Sequence, residues 1–261
     1  MTEQNRSFLN LIEKELPDGL LVDAAWLEER GIASNLRAYY VKSGWLEQPA
    51  RGVYRRPRGR LNWQQAVISL QTLLLRSPFF VGGRTSLELQ GFSHYLSQDI
   101  GTVHLYGPDK PPGWLQKLEL PQRFVHHNST VLFSNAPVAL GLHGIASGHW
   151  DWWLTVSRPE RAYLEMLDEL PGKESFHQAD MIMQGAASFS PRRLQKLLLD
   201  CKSVKVKRLF FFFADRHCHS WLKRLERAEI DLGTGKRALV PGGRLDPVYR
   251  ITVPRDLDAV S

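Results

Sequence analysis

The stretch SNLRAYYVKSGWLEQPARGVYRRPRGR, residues 34–60, constrains this chain more than any other segment. It holds a short helical pattern that Gly44 ends, then two β-leaning triplets, Trp45-Leu46-Glu47 and Val53-Tyr54-Arg55, separated by QPARG. Such a pair around a Pro- and Gly-containing loop predicts a hairpin. The stretch closes on five arginines in ten residues, Arg51, Arg55, Arg56, Arg58 and Arg60, with no acid among them. Like charges at that density repel one another unless an anion neutralises them. The hairpin therefore suits phosphates or another acidic surface, and a solvated arginine cluster is the alternative. Arginine set in a narrow minor groove is one way to read duplex shape.

The residues upstream extend the pattern. Phe8, Leu9, Ile12 and Leu16 share one side of a helix that Pro17-Asp18-Gly19 stops. Asp23 is placed to cap a short helix that Gly31 ends, and Ser34 or Asn35 can cap a third running to about Lys42. Three helices and a hairpin within sixty residues follow the order of a winged helix-turn-helix. In the third helix Leu36, Tyr40 and Val41 make the packing side. Ser34, Asn35, Arg37, Ala38 and Lys42 make the outer side, with Tyr39 at the border. Arg37 then suits the edge atoms of guanine, Asn35 those of adenine, and Tyr39 or Lys42 a phosphate. An amphipathic helix with ordinary surface charges fits the same residues. Residues 1–60 carry ten basic and eight acidic side chains, with the acids concentrated in the first two helices, as in a module with one cationic face.

Further along, residues 61–78 predict a helix that Pro78 closes, and TSLELQG, 85–91, predicts another. TVHLY, RFVHH, TVLFS and WWLTV, between residues 100 and 157, lean towards strand. Segments 158–170, 191–201, 204–214 and 218–229 lean towards helix, and the GKRALVPGGRLDPVYRITVP end reads as extended. The expected class is α+β: a winged helix-turn-helix over residues 1–60, a helical linker region over 61–90 and a mixed α/β domain over 91–261. A second basic tract, 192–227, sets eleven basic residues against three acidic ones. Its candidate contacts for a phosphate backbone or an acidic protein are Lys205, Lys207, Arg208, Arg216, Lys223 and Arg224. Leu209 to Phe213 within it must be mostly buried, with the charged ends snorkelling or facing a partner.

A formal charge of +7 over 261 residues favours acidic partners. Two cysteines, a start without an export signal and no run of about eighteen apolar residues predict a cytoplasmic protein with no membrane span. His217-Cys218-His219, with Cys201 nearby, forms no tetrahedral metal set, because adjacent helical residues point in different directions. VGGRTS, 81–86, precedes a helix but lacks the GxxxxGK[ST] spacing, so a tight turn served by Gly82 and Gly83 is expected there. No G-x-S-x-G elbow occurs. Nothing in these patterns predicts a catalytic residue, a metal or a cofactor.

Several segments carry a family resemblance: ARGVYRR at 50–56, VGGRTSLELQGFSHY at 81–95, RPERAYLEMLDELP at 158–171, VKRLFFFFADRHCHSWLKRL at 206–225 and DLGTGKRALVPGGRLDPVYRITVP at 231–254. Over nearly its full length the chain resembles the AbiEi antitoxins, the transcription-regulating halves of type IV toxin–antitoxin systems associated with abortive phage infection. The resemblance implies a winged helix-turn-helix that binds inverted repeats in double-stranded DNA upstream of its own operon and represses it. It also implies a C-terminal antitoxin domain opposing a nucleotidyltransferase toxin encoded next door, without a stable complex. Asn35, Arg37 and Tyr39 occupy its recognition-helix positions, and Arg51, Arg55 and Arg56 its wing. The alternatives are an antitoxin acting by direct protein binding through the basic 192–227 surface, or an enzyme that modifies the toxin.

Overall fold

In the computed structural model, helix α1 covers Glu3–Glu15, and the chain turns at Pro17–Gly19 into strand β1, Leu21–Asp23. The structure describes residues 3–92, 100–134, 141–148 and 152–257; the side chain of Phe8 and the Ser93–Tyr95 end of the second family-like segment lie outside them. Asp23 caps helix α2, Ala24–Glu28, by accepting the Trp26 N–H at 2.9 Å. Helix α3 spans Ser34–Lys42, and its cap position falls on Ala33, so Ser34 is the first helical residue and not the cap.

Strands β2, Glu47–Ala50, and β3, Val53–Arg55, follow as an antiparallel hairpin, and the sheet runs in the order β1-β3-β2. Helix, strand, two helices and a hairpin follow in the order of elements expected for a winged helix-turn-helix. The hairpin starts later than its residue types suggested: Glu47 to Ala50 form the strand, and Pro49 sits within it. As an edge strand β2 can carry a residue with no N–H to donate. The turn is thereby shortened to Arg51-Gly52 between the paired Ala50 and Val53, and Gly52 takes the positive φ of +77° that it needs.

Helix α4, Trp63–Ser69, begins with a capping box in which Asn62 and Gln65 satisfy each other's backbone N–H groups. It widens into a π-turn over Leu70–Leu74 and ends at Leu75, whose φ is +41°. Ser69 accepts the Leu21 N–H at 2.7 Å, which ties α4 to β1. Residues 61–80 are thus built onto the first sixty.

By its internal contacts the chain divides into two compact units. One comprises Met1–Phe80, Gly101–His126 and Gly144–Thr155, the other Val81–Ile100, His127–His143 and Val156–Ser261. A five-stranded sheet is formed by β4 (Phe80–Val81), β5 (Thr102–Gly107), β6 (Arg123–Asn128), β7 (Leu142–Ala146) and β8 (Trp153–Ser157), in the order β6-β5-β4-β8-β7. TVLFS is the exception among the strand-like pieces. Asn128 accepts from both the backbone and hydroxyl of Thr130 and so starts a helical turn, α6, at Ser129–Leu132.

The second unit is mainly helical: α5 (Gly83–Leu89), α7 (Pro159–Asp168), α8 (Phe176–Gln184), α9 (Pro191–Asp200) and α10 (Val204–His217). Its core is aromatic, with Tyr163, Phe189, Phe210 and Trp221 in ring contact, and Leu209 to Phe213 are all buried as expected. The helix expected at 218–229 is instead two short 3₁₀ turns, Ser220–Arg224 and Arg227–Glu229. Cys218 enters the left-handed region at φ +48° and ends α10, and the Trp221 indole donates to the Ala186 carbonyl at 2.8 Å. The class is α+β, closing on a two-stranded β9–β10 pair, Arg244–Leu245 with Thr252–Val253.

Candidate nucleic-acid interface

Helical periodicity sorts α3 into two sides. Tyr40 is fully buried and Leu36 and Val41 partly so, while Ser34, Asn35, Ala38, Tyr39 and Lys42 are exposed. That outer arc offers a hydroxyl, an amide, a methyl, a phenol and an ammonium group, the donor and apolar mixture that base edges and phosphates accept. Two large rings stand open there, Tyr39 at 45% and Trp45 at 49% exposure. Trp45 escaped the sequence-based candidates because it read as the start of a strand. It lies instead in the bend after α3, with its N–H donated to the Tyr40 carbonyl at 2.9 Å.

Arg37 is not on that arc, contrary to expectation. Its side chain turns inward and is 6% exposed. Nη1 donates to the Ile32 carbonyl at 2.9 Å and reaches the Ala24 carbonyl at 3.5 Å, and Nη2 donates to Glu28 Oε1 at 2.8 Å. Three acceptors and the Tyr54 ring, 5.9 Å away, hold the guanidinium inside the module. A group so placed cannot reach a guanine edge.

The hairpin arginines divide in the same way. Arg51 sits exposed at the turn, and Arg60 is exposed beyond it. Arg55 is buried on β3, where it pairs with Glu47 at 2.6 Å across the hairpin and donates to the Gly59 carbonyl at 2.8 Å. Arg56 turns back to α1, pairing with Asp18 at 2.9 Å and donating to the Glu13 and Leu16 carbonyls. There it caps the end of that helix. Arg58 also pairs with Asp18 but stays 61% exposed. No acid lies within residues 51–60, yet folding brings Glu47, Asp18 and Glu13 to them. Arg55 and Arg56 are therefore corrected from phosphate contacts to parts of the fold.

The 192–227 tract is corrected more extensively. Lys205 donates to the Asp168 and Leu170 carbonyls at the end of α7, and Lys207 is buried. Arg208, buried, binds the carbonyls of Leu232, Gly233 and Gly235 and so holds the chain beyond the last 3₁₀ turn. Burial beside Arg237 and Arg250 lowers its pKa. Arg216 grips Asp180 with two nitrogens, at 2.9 and 3.1 Å. Of the six candidates only Lys223 and Arg224 are exposed. These residues do not make one cationic face; Lys205, Arg208 and Arg216 fasten the second unit together, and Lys207 is buried within it.

The glycine-rich turn before α5 is likewise occupied from within. The Gly83 N–H, where a phosphate would be cradled, donates to Glu165 Oε2 at 2.9 Å. The same oxygen accepts the Ser157 hydroxyl at 2.8 Å, and Arg161 holds the other at 2.7 Å. Of the two glycines expected to need unusual backbone, only Gly83 has a positive φ, +53°. His217 reaches Asp180 and His219 the Met183 carbonyl, so the two rings serve separate partners. Nearby, burial raises the Glu174 carboxyl to about 7, and its Oε2 lies 3.7 Å from Arg84 without a hydrogen bond. The His127 hydrogen bond holds Glu169 down at about 2.

Two family models match the sequence. The one described as transcriptional regulator, AbiEi antitoxin N-terminal domain, covers residues 5–98, and the one described as transcriptional regulator, AbiEi antitoxin, type IV TA system, covers residues 101–254. No curated protein matches. Among solved structures, the RV2827C protein from Mycobacterium tuberculosis is similar at a TM-score of 0.62 and 15% identity, over 96% of this chain and 92% of that one. At that identity the likeness speaks for the fold alone.

Proposed function

This chain belongs to the AbiEi family of transcriptional regulators and antitoxins of type IV toxin–antitoxin systems, and from that premise we propose that it represses its own operon by binding inverted repeats in the promoter. The observation that carries the reading is the exposed arc of α3, Ser34, Asn35, Ala38, Tyr39 and Lys42, in one small module with a hairpin turn that presents Arg51. In this reading Asn35 and Ser34 meet base edges, while Lys42, Arg51 and Arg60 hold phosphates. Tyr39 and Trp45 supply apolar contact to sugars and thymine methyls. The second unit opposes a nucleotidyltransferase toxin from the neighbouring gene without a stable complex. Lys223 and Arg224 are its candidate contacts.

The rival readings lose support at particular residues. A toxin-modifying transferase that used the Gly82-Gly83 turn for a nucleotide would have to displace Glu165 from the Gly83 N–H. A broad protein-docking surface at 192–227 would need Lys205, Lys207, Arg208 and Arg216, which are committed inward or to Asp180.

The deciding experiment measures binding of the purified protein to its own promoter and to random duplex over a salt series. The promoter should be preferred, and Lys42→Ala with Arg51→Ala should weaken binding to both DNAs. Equal affinity for promoter and random duplex at every salt concentration would end the repressor reading.

A further inference from the structure

Arg37 occupies an unusual position for a cation on the helix expected to read DNA. Its guanidinium reaches from α3 to three other parts of the module. Ala24 and Glu28 belong to α2, Ile32 to the turn between α2 and α3, and Tyr54 to the wing strand β3. One side chain thus links α3 to α2, to the turn before it and to the wing strand, whose positions relative to α3 bear on how that helix meets a groove. The start of α2 is fixed independently, by the Asp23 cap and by Arg76 on Asp23 at 2.9 Å. Tyr54 is fixed by strand pairing with Val22. α3 itself packs through the buried Tyr40, and Arg37 adds directed hydrogen bonds from it to α2 and the turn.

Stability alone is a poor reason for an arginine at this place. Burying a guanidinium costs desolvation, and here Nε has no hydrogen-bond partner. An unbranched apolar side chain of similar length would fill the volume, and such replacements of buried ionic groups are often neutral or stabilising. What methionine could not reproduce is direction. Hydrogen bonds to fixed carbonyls and a carboxylate admit one helix orientation, whereas apolar packing tolerates several.

We propose that Arg37 is a positioning residue. From inside the module it sets the angle of α3 against α2 and the wing, and it governs operator discrimination without touching DNA. The inference rests on the DNA-reading function above. It deepens that reading by assigning specificity partly to a residue that no base contacts.

The test compares wild type, Arg37→Met and Glu28→Ala, each first confirmed to be folded at the assay temperature. The quantity read is the ratio of promoter affinity to random-duplex affinity, with the salt dependence of each. Arg37→Met should lower the ratio about tenfold, which is near the value of one base contact, with an unchanged salt slope. The loss should spread over all operator positions, because a tilted helix misaligns every contact. Glu28→Ala leaves Arg37 its two carbonyl acceptors and should lower the ratio in the same direction by a smaller factor. It carries the test if the methionine variant does not fold.

Three outcomes would overturn the inference. One is a ratio within about twofold of wild type in both variants, which is below one weak contact. Another is an Arg37→Met loss that disappears once a single guanine of the operator is replaced, which would mark a direct base contact. A wild type that does not distinguish its promoter from random DNA would remove the function itself, a result visible before any variant is compared.

Discussion

Arg51 and Arg55 stand four residues apart on one hairpin and are committed to opposite tasks. Arg55 is buried and neutralised by Glu47, so Arg55→Ala leaves a carboxylate and the Gly59 carbonyl short of a donor and should cost about 1–3 kcal/mol in thermal unfolding. Arg51 is exposed with no ion pair among the described residues, so Arg51→Ala should change stability by less than about 0.5 kcal/mol. It should instead reduce the salt slope of DNA binding by roughly one. If the two variants exchanged these phenotypes, the assignment of the hairpin would be reversed. Glu174 gives a second residue-level test. Its carboxyl titrates at about 7 in the fold against an ordinary 4.5, so between those values the folded state holds a proton that the unfolded state has released. Stability must then fall as pH rises from about 4.5 to 7, by an amount on the order of 3 kcal/mol for that shift, and level off above it. Glu169, held at about 2, is ionised in both states above about pH 6 and adds no slope there. Glu174→Gln should therefore flatten the fall between pH 5 and 8 in urea melts, and an unchanged slope would show that Glu174 ionises normally. The outer residues Ser34, Asn35, Lys42 and Arg51 were legible from spacing. Arg37 was legible too, since it lies three residues before the buried Tyr40, but its charge outweighed its position in the reading.

At the scale of elements, side chains that meet only after folding decide what local pattern leaves open. α5 begins where Gly83 turns its N–H onto Glu165, a residue eighty-two positions away. No local feature of VGGRTS reveals that the expected cradle is already filled. Gly83→Ala should destabilise the protein by about 1–2 kcal/mol through backbone strain at φ +53°. Millimolar phosphate or ATP should raise the melting temperature of neither wild type nor variant; a ligand-dependent rise in wild type would reinstate a nucleotide site there. α3, the hairpin and α10 were legible as elements from their residue patterns, with the start of α3 set at Ala33 and the hairpin beginning at Glu47. α8 was missed although Phe176, Ala179, Ile182 and Met183 share its buried side, because the polar His177, Gln178 and Asp180 dilute the pattern. The false helix at 218–229 arose from its helix-favouring composition. Trp221 donates to the Ala186 carbonyl, Gln195 of α9 bonds the N–H and carbonyl of Glu226, and the chain follows these partners into short turns.

For the molecule as a whole, the count of 34 lysines and arginines overstates the cations available to a polyanion. Within residues 1–60, Arg37, Arg55 and Arg56 are spent on internal acceptors, and Arg58 shares Asp18. Lys42, Arg51 and Arg60 remain exposed with no ion pair among the described residues. Each phosphate neutralised on duplex DNA contributes close to −0.9 to the slope of log affinity against log salt, so three contacts predict roughly −3 per bound chain. Counting all five hairpin arginines with Arg37 and Lys42 as contacts would predict about −6. Titrating promoter DNA between about 50 and 200 mM salt separates these values, because the two slopes differ by nearly a hundredfold in affinity over that range. A slope near −3 supports the division drawn from the ion pairs. A slope near −6 that relaxes on Lys223→Ala with Arg224→Ala would instead bring the exposed cations of the second unit onto the DNA. A steep slope unmoved by those changes would mean that the internal pairs open on binding, and the stability assigned to Arg55 would then have to be spent each time the operator is occupied.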